Sequence, residues 1–400
     1  MNFYLKLSNF EHFIMKTNQI QKNIPKGWGE KQFNDCIVLP TKLKGLKKSQ
    51  YKLSGKYPIF DQGQSYISGY TDNNDFLNDN SPVILFGDHT RIVKLIKSPF
   101  VLGADGTKVF WVNENIDIDF FFYSLLNTEI PNTGYNRHFK FLKEKKFLIP
   151  EDINEQKQIA KILKTVDKEM EKTDEIIGGT EKLKKGLMQK LFEKKEGWNV
   201  LKIKDSPIKL IDGDRGVNYP KVSDFTTGGY CLFLSNKNIK NDEFIFSDSQ
   251  FISKEKDELL RKGRLQKEDV ILTTRGTVGS VAFYDKTVSF QNIRINSGML
   301  ILRSFDGIEP IYLYQLLKSS LLKNKFKEIV SGSAQPQLPI RTLEQVFIPI
   351  PPEGEQQKIA EILSAVDEKI LVNKKLKEKL TQLKKGLSQD LLSGKVRTKK

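Results

Sequence analysis

The chain has 400 residues, 38% apolar and 28% charged, with 65 basic against 49 acidic side chains and a formal net charge of +16. That length exceeds one ordinary core and suits two to three domains, and the composition excludes a disordered chain. No apolar run reaches the roughly eighteen residues of a membrane span, and two cysteines, Cys36 and Cys231, supply neither a disulfide framework nor a zinc site, which suits the cytoplasm. The positive excess favours a polyanionic partner, with nucleic acid the leading candidate.

In chain order, residues 1–24 come first. The stretch "MNFYLKLSNFEHFIMK" mixes polar residues into its apolar ones and lacks a signal-peptide core. It reads as a short helix, or as leader upstream of a true start at Met15. Residues 25–150 read as a first α+β head that opens on Gly27-Trp28 and closes on the apolar strand "FLIP". Between them, "SPVILFGDHTRIVKLI" and "KVFWV" have the β-rich, turn-punctuated pattern of short strands, and "DIDFFFYSLLN" that of a helix.

Residues 151–196 predict an amphipathic helix, because Ile159, Ile162, Leu163, Val166 and Met170 recur at i, i+3, i+4, i+7. Leu183 and Leu187 continue the stripe, and Gly178-Gly179 predicts a kink or frayed turn within it. Residues 197–350 read as a second head, again opening on Gly-Trp. It carries "DVILTTRGTVGSVAFY", "GMLILRS" and one helix-like stretch, "PIYLYQLLKSSLLKNKF", before "FIPIPP". The prolines that follow each closing strand mark boundaries, since Pro suits only the first turn of the next helix. Residues 351–400 give the second helix and a basic tail, with Ile359, Ile362, Leu363, Val366, Leu383 and Leu387 on its stripe.

The two helices are copies. "EQKQIAKILKTVD" at Glu155–Asp167 returns as "EQQKIAEILSAVD" at Glu355–Asp367 with eight of thirteen residues identical, and "LKKGL" recurs at the same offset of 200. A chance match does not keep its register across two blocks, so the chain is a tandem duplication. A helix over 151–195 would be roughly 65 Å long, more stripe than a small domain can bury, and the economical partner is the other copy. Thr173 and Asn373 interrupt the stripe at matching places and either fix the register or face water. The first helix is neutral, 11 basic against 11 acidic residues over 151–196, whereas the heads are basic, 17 against 13 and 22 against 17. The expected architecture is α+β: two similar heads separated by a long antiparallel two-helix coiled coil, related by a pseudo-two-fold axis.

Two variable heads alternating with two helices of the form "EQ-x-x-IA-x-IL-x-x-VD … LKKGL-x-Q-x-L" resemble the specificity subunit of Type I restriction-modification systems over about residues 24–394. The resemblance implies that each head is a target recognition domain reading one half of a split, asymmetric sequence in double-stranded DNA. It implies that the helices form the spacer and dock two methyltransferase (modification) subunits, with motor-nuclease (restriction) subunits joining for cleavage. It implies a non-catalytic chain that binds no cofactor, S-adenosylmethionine, ATP and Mg being used by the partners. The sequence agrees: it has no Gly-x-x-x-x-Gly-Lys-Ser/Thr loop, no Asn/Asp-Pro-Pro-aromatic element and no metal-spaced histidine pair.

Base readout calls for Arg or Lys on guanine and Asn or Gln on adenine, with phosphates held by Arg, Lys, Ser, Thr or amides. In the first head these types cluster in "GDHTR" (His89, Thr90, Arg91) and "GYNRHFK" (Asn136, Arg137, His138, Lys140), although His138 also suits a core. The second head offers Arg215, Asn218 and Tyr219 in a glycine-flanked loop, and Thr273, Thr274 and Arg275 before a glycine turn. It adds Gln291, Asn292 and Arg294 in "QNIRINSG", and Ser333, Gln335 and Gln337 in "SGSAQPQLP". Two other readings stand beside this one. One is a protein-bridging scaffold with incidental basic heads, from which salt-sensitive duplex binding would separate a DNA reader; the other is a self-contained DNA nuclease or methylase, a nuclease having acids such as Asp212 and Asp214 to use.

Overall fold

A computed structural model of the chain describes residues 24–40, 43–104, 106–332 and 336–398. The expected N-terminal helix or leader, and the candidates Ser333 and Gln335, lie outside the described residues. The fold divides into two compact units, Met1–Asp174 with Leu376–Lys400, and Glu175–Lys375. Each therefore contains one head and one half of each long helix.

In the first unit, Trp28–Gln32 and Lys146–Pro150 pair antiparallel and close the head, Trp28 opposite Pro150. A four-stranded antiparallel sheet runs Ile37–Val38, Thr107–Val112, Val83–Gly87, Val93–Ile96. Its strand Val83–Gly87 is buried on both faces, which is why its sequence is continuously apolar rather than alternating. A second, mixed sheet is built on Phe100–Gly103. The helix Ile118–Leu126 is capped by Asp117, whose carboxylate accepts the Phe120 amide, and drives Phe120 and Phe121 into a core with Trp28, Phe33, Phe110 and Phe147.

The second unit repeats this plan. Asn199–Lys202 pairs with Phe347–Ile350, and an antiparallel sheet runs Ile208–Asp212, Met299–Ser304, Val270–Thr273, Val281–Phe283. An additional three-stranded sheet sets Cys231–Leu234 between Phe251–Ile252 and Ile293–Ile295. The single helix-like stretch expected here is two helices, Pro310–Lys318 and Ser320–Ile329. Ser319 leaves helical geometry (φ −66°, ψ 153°) and its hydroxyl accepts the Leu322 amide as an N-cap.

The long helices are Ile153–Leu191 and Glu353–Leu392. The expected interruption at Gly178-Gly179 is absent: the helix continues through both glycines. Burial of Ile177 and Thr180 on either side outweighs the propensity loss. Within the first unit, the ion pairs Glu155–Arg397, Asp167–Lys384 and Asp174–Lys377 descend one segment as they climb the other, so the two run antiparallel. Glu181–Lys374, Lys184–Asp367 and Lys195–Glu355 show the same within the second unit. No helix among the described residues is long and apolar enough to cross a membrane.

The repeated motif now has a physical explanation. Gln156 and Gln356 are fully buried clamps. Gln156 Nε2 donates to the Pro150 and Asn115 carbonyls while its Oε1 accepts the Asp117 amide; Gln356 does the same with Pro351, Gly307 and Glu309. Ile159, Ala160 and Leu163, like Ile359, Ala360 and Leu363, pack into the core of their own unit. Asp167 accepts from Tyr123 of its head and pairs with Lys384; Asp367 accepts from Gln315 and Lys318 and pairs with Lys184. Burial alone would raise the Asp367 carboxyl, but Lys318, Gln315 and Lys184 outweigh it and hold it below the usual range.

The buried stripe differs from the expected one from its first turn onward. Val166 is buried, and Leu187, Val366 and Leu387 are half-buried. Ile162 (37% exposed), Ile362 (42%), Leu183 (56%) and Leu383 (50%) face outward, not into the packing. Thr173, Ile177 and Thr180 occupy the inner positions instead. Thr173 neither faces water nor bonds across the helices: its hydroxyl donates to Glu169 of its own helix, as the Asn373 amide does to Lys369.

Candidate nucleic-acid interface

In each head, part of the candidate loops is tied together through one backbone arrangement. In the first, the strand Val83–Gly87 delivers Asp88, whose N–H donates to the Gly106 carbonyl at 2.7 Å and whose carbonyl accepts the His138 amide at 2.8 Å. In the second, Val270–Thr273 delivers Thr274, which donates to Gly298 at 2.8 Å and accepts from Leu338 at 2.9 Å. Three segments distant in sequence are thus tied at one residue in each head.

In the first head, the Asp88 carboxylate accepts the Phe139 amide and is buried. Gly106 (φ +62°) is required there, because a Cβ would sit 2.4 Å from Gln62 Nε2 and 2.7 Å from His89 Cδ2. His89 is half-buried; its amide donates to Gln62 Oε1 and its ring stacks on Tyr135. Thr90 is exposed but its hydroxyl donates to the Gln62 carbonyl, and the half-buried Arg91 guanidinium donates to Ile130. Asn136, Arg137 and Lys140 are exposed. His138 is corrected: it is fully buried, with Nδ1 3.0 Å from the Asp88 carbonyl and Nε2 facing Thr133, so it builds the clasp rather than reaching a ligand.

In the second head, Arg275 is exposed, forms a β-bridge with the exposed Gln337, and its carbonyl accepts the Asn236 side-chain amide. Gly276 (φ +69°) lets the chain turn against Asn236, 2.9 Å from where a Cβ would lie. Arg215 is exposed and donates to Asp212 and to the Ser297 carbonyl, at 3.2 Å each. Asn218 donates to Leu259, and Tyr219 packs edge-on against Phe233; both are half-buried. Gln291 is exposed and Asn292 half-buried.

Three expectations are corrected here. Thr273 is fully buried and its hydroxyl staples the following turn through Thr277 and Ser280. Thr274 is buried because its backbone is the clasp. Arg294 is 4% exposed, paired with the buried Asp257, and donates to the carbonyls of Lys262, Asp257 and Leu260. It sits mid-strand between buried isoleucines, where a cation persists only when fully partnered. The acids of "DGD" serve their own loop. Asp212 pairs with Arg215, and Asp214 accepts the Gly216 and Arg261 amides. Burial pushes Asp214 up, but those amides and the Arg261 guanidinium hold it below the usual carboxylate range.

The family described as the Type I restriction modification DNA specificity domain matches this chain twice, over residues 25–177 and 195–382. The chain belongs to this family. As a specificity subunit it recognises the DNA target of a restriction-modification system and is not the catalyst, methylation and restriction being the work of other subunits. It is similar to the Type I restriction enzyme MjaVIII specificity subunit of Methanocaldococcus jannaschii, 26% identical with 94% of each chain covered. It also resembles the EcoKI specificity subunit of Escherichia coli, 26% identical over 51% of this chain and 43% of that one. Among solved structures, the S subunit from M. genitalium shares the fold with a TM-score of 0.64 at 19% identity, covering 94% of this chain and 98% of the other.

Residue type alone passes over several members of the specificity subunit's loop edges: Gln62, Tyr135, Asn236, Arg261 and Ser297. Gln62 and Asn236 are amides of a base-reading type, but nothing in their own stretches of sequence ties them to the loops they meet through His89 and Arg275. Tyr135 sits within "GYNRHFK" and is legible as an exposed aromatic only once His138 is seen to take the core position.

Proposed function

We propose that each head reads one half of a bipartite, asymmetric sequence in duplex DNA. The observation that carries this is the shared clasp presenting different side chains: Asn136, Arg137 and Lys140 in one head, Arg215, Arg275 and Gln337 in the other. A common frame with different tips fits two half-sites of different sequence. The repeated helices, as an antiparallel coiled coil with pseudo-two-fold symmetry, set the gap between the half-sites. The outward Ile162 and Leu183 and their copies Ile362 and Leu383 support docking of two methyltransferase subunits, since each unit holds one Ile and one Leu of the set. Motor-nuclease subunits complete the restriction complex, S-adenosylmethionine, ATP and Mg act in those partners, and the assembly works in the cytoplasm.

Methylome sequencing of cells with and without the gene tests this directly: one bipartite motif should vanish, giving both half-sites and the gap. Exchanging residues 25–150 for the first head of another family member should change one half-site only. A change in both halves, or no lost motif, refutes the reading. Duplex binding that weakens steeply with salt separates it from a protein-bridging scaffold.

A further inference from the structure

Tyr135 is 87% exposed, the most open aromatic side chain among the described residues. It is nevertheless fixed. Its ring lies parallel to that of His89, 4.5 Å between centroids and 6° between planes. His89 is held in turn: Nδ1 lies 3.2 Å from the Asn136 carbonyl, and its amide donates to Gln62 Oε1 at 3.1 Å. Gly106 leaves the space in which the His89 edge rests. The other exposed rings lack this combination. Tyr66 is tied through its hydroxyl to the Leu95 carbonyl, and Phe347 is covered by the Lys202 ammonium. Tyr135 therefore presents one open π-face, backed by a second ring, on the loop that also carries the exposed Arg137 and Lys140.

We infer that the Tyr135–His89 pair is a stacking platform for the face of a nucleobase in the half-site read by the first head, beside Arg137 and Lys140 on the same loop. This rests on the DNA-reading role proposed above and adds a consequence to it. Base faces are covered inside a duplex, so the platform acts where the helix is opened, as when a base leaves the stack for chemistry or a step is kinked. An aromatic face accepts any base, so the platform contributes affinity more than sequence discrimination.

The test uses the subunit assembled with its methyltransferase partners and the cognate duplex, with 2-aminopurine placed in turn at each position of the first half-site. Wild type and Tyr135→Phe should quench one position relative to its neighbours. Tyr135→Ala should abolish that quench and weaken binding about five- to 150-fold, the range for losing one base–aromatic stack. An abasic substitution at the quenched position should weaken wild type but not Tyr135→Ala, because the same contact is removed twice. Selective binding by wild type with no position quenched, or with Tyr135→Ala unaltered, overturns the platform and leaves the DNA-reading role standing. No selective binding by wild type overturns both.

Discussion

The two head–helix junctions are copies that have come to satisfy the same acid differently. In the first, Arg397 takes both oxygens of Glu155, at 2.6 and 2.7 Å, and lies over the Trp28 ring; the buried Trp28 Nε1 has no hydrogen-bond partner among the described residues. In the second, Lys195 takes one oxygen of Glu355 and the other accepts Trp198 Nε1 at 2.8 Å. A guanidinium forks onto two oxygens where an ammonium is a point charge, so the choice of cation decides whether the indole keeps its acceptor. The second aspartate shows the same divergence: Asp167 meets Tyr123 and Lys384, Asp367 meets Gln315, Lys318 and Lys184. Position is held by the duplication, and the hydrogen-bond partners drift around it.

The sharpest way to break this comparison is at the clamps, where the two copies are alike. Gln356→Ala leaves the Glu309 amide and two carbonyls without their buried partner and should destabilise the second unit by about 3 kcal/mol, read by chemical denaturation. Gln156→Ala should cost the first unit about the same, and a markedly smaller loss in one would show that the clamps are not equivalent. Arg137→Ala and Arg275→Ala probe the tips, where the heads differ. Each should weaken cognate binding by about 1–3 kcal/mol and abolish measurable methylation of the cognate site while the complex still assembles. Normal methylation would remove that loop from the reading edge.

A smaller effect lies at the second aspartate. Asp367→Asn removes a partly buried anion facing two lysines and should cost about 1–2 kcal/mol at neutral pH. Because the folded Asp367 carboxyl lies below its unfolded value, its contribution is present above the unfolded value near 4 and fades as pH falls through the lower folded one. The difference in Tm between wild type and Asp367→Asn should therefore shrink on acidification; a gap constant down to pH ~2 would contradict the assignment. Smallest of all, Gly178→Ala and Gly179→Ala should each stabilise the long helix by about 1 kcal/mol, since a Cβ at either site meets nothing within 4 Å. Lost stability would show that the glycines serve a bend.

The helices were legible because a copied stripe of period 3.6 is a long-range signal confined to few residue types, and the motif residues that recur are those that clamp a head or cross to the other helix. The pairing of Trp28–Gln32 with Lys146–Pro150 and of Asn199–Lys202 with Phe347–Ile350 explains why an indole and a proline-bearing apolar strand recur in both heads: they build the same closing ribbon. Residue type misled at His138, Thr273, Thr274 and Arg294, where polar side chains face inward and are fully partnered.

By itself the sequence determined the duplication, the two α+β heads and the family, because these depend on periodicity and composition along the chain. Only the tertiary structure decided which polar residues stand at the loop tips, which apolar residues of the stripe turn outward, and that the glycine pair stays helical. Those outcomes depend on neighbours brought together from distant positions. A Thr or Arg is exposed or buried according to whether partners reach it, and local sequence carries no record of that.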